Sequence, residues 1–301
     1  TANKTYSGNT FSNWTGGSSA ITGMSVSFGG GNGGNGNVLS TNTISNITGT
    51  GVITGITLGS SGTTHTASSN TITGLSSTGT GGAVTGIAST APTGNIFSNI
   101  INTLSSASTT ATVAGITSSG TTANIYSNVI NGLSSVASAS GGTNGISVSG
   151  GTTVRVYKNK IYDLSASGAF TTLGAVNGMV FSSGTTVTAY NNLVGDLRAT
   201  AANSADAIRG ISVTATGTST SYNLYNNTVY LNASSSGAAF GTTGIFHAAS
   251  ATATTAKLDV QNNIVINTST PGSTGVVTAL RRSAAVLGNF DSTSNRNMYF
   301  A

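Results

Sequence analysis

The chain has 301 residues, among them 42 glycines, 10 Lys or Arg and 5 Asp, with no Glu, no cysteine and a formal net charge of +5. Without cysteine there are no disulfides and no thiolate metal ligands, and the apolar runs are too short to span a bilayer. Between Lys4 and Arg155 there is no charged residue, so about half of the body is a neutral surface of hydroxyls and amides with nothing to hold nucleic acid.

Low charge with a polar bias is also a mark of disorder, but here Ile, Val, Leu, Phe and Tyr recur in register along the chain. The stretch Tyr126-Ser127-Asn128-Val129-Ile130 is written again as Phe97-Ser98-Asn99-Ile100-Ile101 and as Tyr157-Lys158-Asn159-Lys160-Ile161. The anchor asparagine stands at Asn9, Asn42, Asn70, Asn99, Asn128, Asn159, Asn192, Asn227, Asn263 and Asn297, at spacings of 28 to 36 residues. A second column, Gly23-Met24, Gly55-Ile56, Gly86-Ile87, Gly115-Ile116, Gly145-Ile146, Gly178-Met179, Gly210-Ile211, Gly244-Ile245 and Gly275-Val276, runs in phase with it. Periods of this size mark a solenoid, propeller or array.

Taken in order, the chain opens in mid-repeat and reaches an alternating strand at residues 23–28, then the glycine-rich stretch 29–37, read as a loop. From 38 to 153 the units are short and regular. Each has about three strands rich in Ile, Val, Thr and Tyr between Gly/Ser/Asn turns. No helical apolar stripe appears, and Gly, Ser, Thr, Asn and Val are poor helix formers. From 154 onward the units lengthen, the extra residues falling in turns such as 199–205 and 234–241, and every charge but Lys4 lies here.

Three strands per unit predict an all-β fold, a right-handed parallel β-helix of about ten rungs in one domain over 1–301, with an uncharged half at 1–153 and a charge-bearing half at 154–301. Strands stacked at about 4.8 Å would give a rod of roughly 45–50 Å. Ile101, Ile130, Ile161, Val194 and Val229 should form one inward ladder. The anchor asparagine is expected at the sharp bend between two strands, itself in the left-handed conformation, its amide bonded to the copies above and below.

On the asparagine ladder and the Gly-Ile column, the chain resembles the secreted right-handed parallel β-helix repeat proteins of bacterial surfaces, whose architecture is shared with pectate lyases. The resemblance implies an extracellular or cell-surface location. It fits polysaccharide lyases and hydrolases, adhesins, autotransporter passengers and phage tailspikes alike, because fold does not choose among functions.

Candidate chemistry is sparse. Asp163 and Asp196 each stand four residues after their anchor and should stack on one face, with Arg155, Lys158, Lys160 and Arg198 nearby. Lyases of this fold use acids for calcium and a base for proton abstraction, but no residue-by-residue match is present, and a calcium site has more oxygen ligands. The preferred reading is a charge-balanced outer face, with the same residues as an alternative glycan- or ion-binding face. The glycines at 31–36 formally fit G-x-G-x-x-G without the strand–helix context that motif needs. His65 and His247 are isolated and read as surface or turn residues. The column Tyr126, Tyr157, Tyr190 and Tyr225 is read as core in preference to a sugar-stacking face.

These observations predict no catalytic residue, no metal and no cofactor. The expected function is an extracellular structural or adhesive solenoid that associates with itself head to tail or with surface glycans. A polysaccharide-binding or polysaccharide-cleaving protein is the alternative.

Overall fold

A computed structural model describes residues 4–27, 36–138 and 140–301 of the chain. The described chain winds as a right-handed parallel β-solenoid of about nine coils. One coil reads Thr122–Tyr126, Val129–Ser135 and Gly142–Ser149. Each of these strands lies parallel to its copy in the next coil. The first strands form sheet A with nine strands, the third form sheet C with nine, and the second form sheet B with twelve. Sheet B has more because Met298–Phe300 adds a tenth coil's strand and two coils break their strand, into Lys160–Ile161 with Leu164–Ala166 and Leu193–Gly195 with Leu197–Ala199. Ten successive strands of sheet B span about 43 Å at the usual strand spacing.

The core follows from strand alternation. In Thr122–Tyr126 the second and fourth residues, Ala123 and Ile125, point inward. Parallel register then makes columns of like residues. Ile101 pairs with Ile130, Ile130 with Ile161, Ile161 with Val194 and Val194 with Val229, and all five are fully buried, as the sequence predicts.

The glycine column lies on sheet C opposite that ladder, and it has a steric cause. A Cβ on Gly115 would lie 2.6 Å from the carbonyl oxygen of Gly145 and 2.6 Å from a methyl of Ile130. On Gly178 it would lie 2.3 Å from Cγ1 of Val194. The coil is therefore too thin to hold two side chains there. The last predicted member needs correction. Gly275 sits in the turn before the strand Val277–Arg282, and Ala279 takes the column position beside Gly244.

The turns from sheet B to sheet C lengthen along the rod, from residues 78–83 early on to 200–207 and 232–241 later, where the sequence placed the inserted residues. Phe170, in the turn 167–175, and Phe240, in the turn 232–241, are both buried and join the core. Of the glycine-rich stretch, 28–35 lies outside the described residues. Asn37 is not loop but the buried start of the strand Asn37–Ser40. Among the described residues no helix is long and apolar enough to cross a membrane.

Candidate functional site

The anchor asparagines line the corner between sheets A and B. Asn128 shows the pattern. Its backbone N–H and its Nδ2 both donate to Oδ1 of Asn159, at 3.1 and 3.0 Å, and its Nδ2 also donates to the carbonyl of Ile96 at 3.0 Å. Its own Oδ1 accepts from the backbone N–H and the Nδ2 of Asn99, each at 3.0 Å. Each side chain thus uses two donors and two acceptors and ties its coil to the coils on either side. The amide-to-amide bond recurs from Asn9 to Asn297. An unpaired buried amide is costly, and here the ladder pairs each anchor asparagine between Asn9 and Asn297.

The left-handed residue at this corner is not the asparagine, as expected from sequence, but the residue before it. Thr41, Ser69, Ser98, Ser127, Lys158, Asn191, Asn226, Asn262 and Arg296 have φ between 53° and 56°. The bend comes from that residue, which leaves the asparagine side chain free to turn inward along the axis.

A second left-handed column falls four residues after the anchor, in the middle of sheet B. It holds Asn13, Asn46, Gly74, Thr103, Gly132, Asp163 and Asp196. Both aspartates therefore occupy a backbone position that in four of the five other coils takes Asn or Gly, the residues that tolerate this conformation, and in one takes Thr103. They stack in adjacent coils as expected, and one guanidinium, that of Arg198, bonds to both. All three side chains are about half exposed. Among the described residues no group of three or more His, Cys, Asp or Glu gathers as a cation site.

Arg155, Lys158 and Lys160 lie in one coil and are all exposed. Arg155 points out of sheet A, Lys158 sits on the corner, and Lys160 points out of sheet B with its Nζ 4.7 Å from the centre of the Tyr162 ring. The neighbouring coils put uncharged residues at the same positions: Asn124 and Thr188, Ser127 and Asn191, Val129 and Leu193.

The aromatic column is outside, which corrects the core reading. Phe97, Tyr126, Tyr157 and Tyr190 are half-buried on the outer face of sheet A, because Ile96, Ile125, Val156 and Ala189 take the inward positions. The rings stack with centroids 4.8 Å apart and planes within 8° of parallel. The inner rings cover each other's faces and present edges. Tyr225 continues the register, but its hydroxyl donates to Asp259 at 2.8 Å. Burial first, then that carboxylate, pushes its hydroxyl far up in pKa.

Both histidines are fully buried, not on the surface. His65 Nε2 lies 2.6 Å from the carbonyl of Ser61, and its Nδ1 lies 3.3 Å from the backbone N of Asn37. His247 Nε2 lies 2.8 Å from the carbonyl of Ala256, and its Nδ1 lies 2.9 Å from Nη1 of Arg282. A carbonyl accepts and a guanidinium donates, so His247 is neutral with its proton on Nε2. Burial, helped by Arg282, pulls its pKa down to about 4 in spite of the Ala256 bond.

Sequence reasoning passed over one buried ion pair. Arg209 donates to Asp206 at 2.7–2.8 Å, Thr243 bonds to the same carboxylate, and the guanidinium lies 3.6 Å from the centre of the Phe246 ring. This pair pins the turn 200–207 onto sheet C. Its signal was the isolated charged pair three residues apart, which has no counterpart in other repeats.

A scan against protein-family models, a search of curated proteins and a search of solved structures each find no match to this chain.

Proposed function

We propose that this chain is a non-enzymatic structural or adhesive solenoid of an extracellular bacterial surface. The observation that carries the reading is the placement of Asp163 and Asp196. They stand where the backbone calls for a residue tolerant of positive φ, and Arg198 bonds to both. A general base must reach a substrate proton, and a hydrolase pair needs two separately poised carboxylates. Two carboxylates sharing one guanidinium provide neither. The rest of the repeat supplies axial hydrogen bonding and packing, which suits a rigid spacer.

Immunolabelling tests the location. Intact cells that express the protein should label at their surface, whereas labelling only after permeabilisation would refute the proposal. Self-association is the natural partner chemistry. The terminal strands of each sheet pair with one described neighbour, and such edges accept further strands from a second copy or from more chain. Electron microscopy should then show end-to-end rods; separate rods at all concentrations would remove self-association from the proposal.

The clustering of three cations in one coil favours the second reading, that the adhesive partner is a glycan.

A further inference from the structure

The geometry points to an acidic oligosaccharide as the ligand of the corner between sheets A and B, seated at the coil of Arg155, Lys158 and Lys160. This rests on the proposed adhesive role and names its partner class. Three exposed cations lie within six residues around a sharp bend. The nearest carboxylates, Asp163 and Asp196, share Arg198, which balances one of them, so the three cations of that coil still leave it with a net positive charge.

The pattern along the axis selects the kind of anion. One coil is cationic, and the coils before and after it are neutral at the same three positions. A nucleic acid, with a charge at every unit, would need cations on successive coils. An anionic membrane would need a broad basic face. A glycan in which one uronate or sulfated sugar is flanked by neutral sugars matches one charged coil between neutral ones. The neutral coils offer such sugars both kinds of contact. On one side of the corner are the edges of the stacked rings Tyr126 and Tyr190, and on the other are the half-buried Val129 and the exposed Leu193. Because the ring faces are covered, the contact would run along ring edges and hydroxyls.

The repeat supplies a variant that should keep the fold. Arg155→Asn, Lys158→Ser and Lys160→Val give this coil the residues that stand one coil earlier, Asn124, Ser127 and Val129. The probes are a pentasaccharide with one central glucuronate among glucoses, the all-glucose pentasaccharide, a short DNA duplex, and phosphatidylserine vesicles. Calorimetry should show the wild-type protein binding the glucuronate probe more tightly than the neutral one. That binding should weaken as salt rises and fall about tenfold or more in the triple variant, with circular dichroism unchanged. No preference for the charged probe, or an unchanged affinity in the folded variant, would overturn the inference. So would equal or tighter binding of DNA or vesicles. None of these results bears on surface labelling, so failure here leaves the adhesive proposal to its own test.

Discussion

At the scale of single residues, the fold depends on an amide that uses all four of its bonds. Replacing Asn128 by Ala would strand the backbone N–H and Nδ2 of Asn99 and remove the link to Asn159. Buried groups left unpaired cost about 1–3 kcal/mol each. The substitution should therefore destabilise the protein by on the order of 4 kcal/mol in urea unfolding. The left-handed residues, one before and four after each anchor, work in the opposite sense. Thr41 and Thr103 are β-branched residues at φ 55°, an arrangement with a steric cost of roughly 1–2 kcal/mol. Thr41→Asn and Thr103→Gly each install the residue type that stands in the same column in other coils, and each should raise stability by about 1 kcal/mol. A loss of stability in both would mean that their hydroxyls matter more than their backbone.

At the scale of elements, sheets B and C are held apart by one side chain instead of two. Gly115→Ala brings a methyl against both the Gly145 carbonyl and Ile130. Since a backbone carbonyl cannot rotate away, the cost should reach about 3 kcal/mol, read from the shift in urea midpoint. The last coils carry a pH dependence through His247. Its folded pKa, about 4, lies below the ordinary 6.5, so the unfolded chain takes up the proton first. The contribution of His247 to stability is complete above pH 6.5 and is lost as pH falls toward 4. Acidification places an imidazolium against Arg282. Amide protection factors, corrected for the intrinsic pH dependence of exchange, should therefore fall in Thr242–His247 and Val277–Arg282 over that range before the earlier coils respond; a uniform change along the rod would refute this.

At the scale of the whole molecule, the architecture was readable because a parallel solenoid turns sequence period directly into space. Residues one period apart become neighbours, so the columns at Asn128 and Ile130 could be aligned without coordinates. Details that period does not encode were read less well. Which of Ser127 or Asn128 bends backward depends on where the amide must point, and both choices suit a polar turn. Tyr126 and Ile125 are adjacent apolar residues, and only the phase of the strand decides which faces in. His65 and His247 are single departures from the repeat, so no column revealed their burial. The acidic pair was legible as a pair, but its backbone reason emerged only from φ. That reason is central to the structural role proposed for the pair. The most direct measurement follows the chain length of acidic and neutral polysaccharides incubated with wild-type protein and with Asp163→Asn/Asp196→Asn. A structural role predicts that neither protein shortens any chain, and that the double variant, keeping residues suited to positive φ, unfolds within about 1 kcal/mol of wild type. Cleavage by the wild-type protein that the double variant loses while still folded would contradict it.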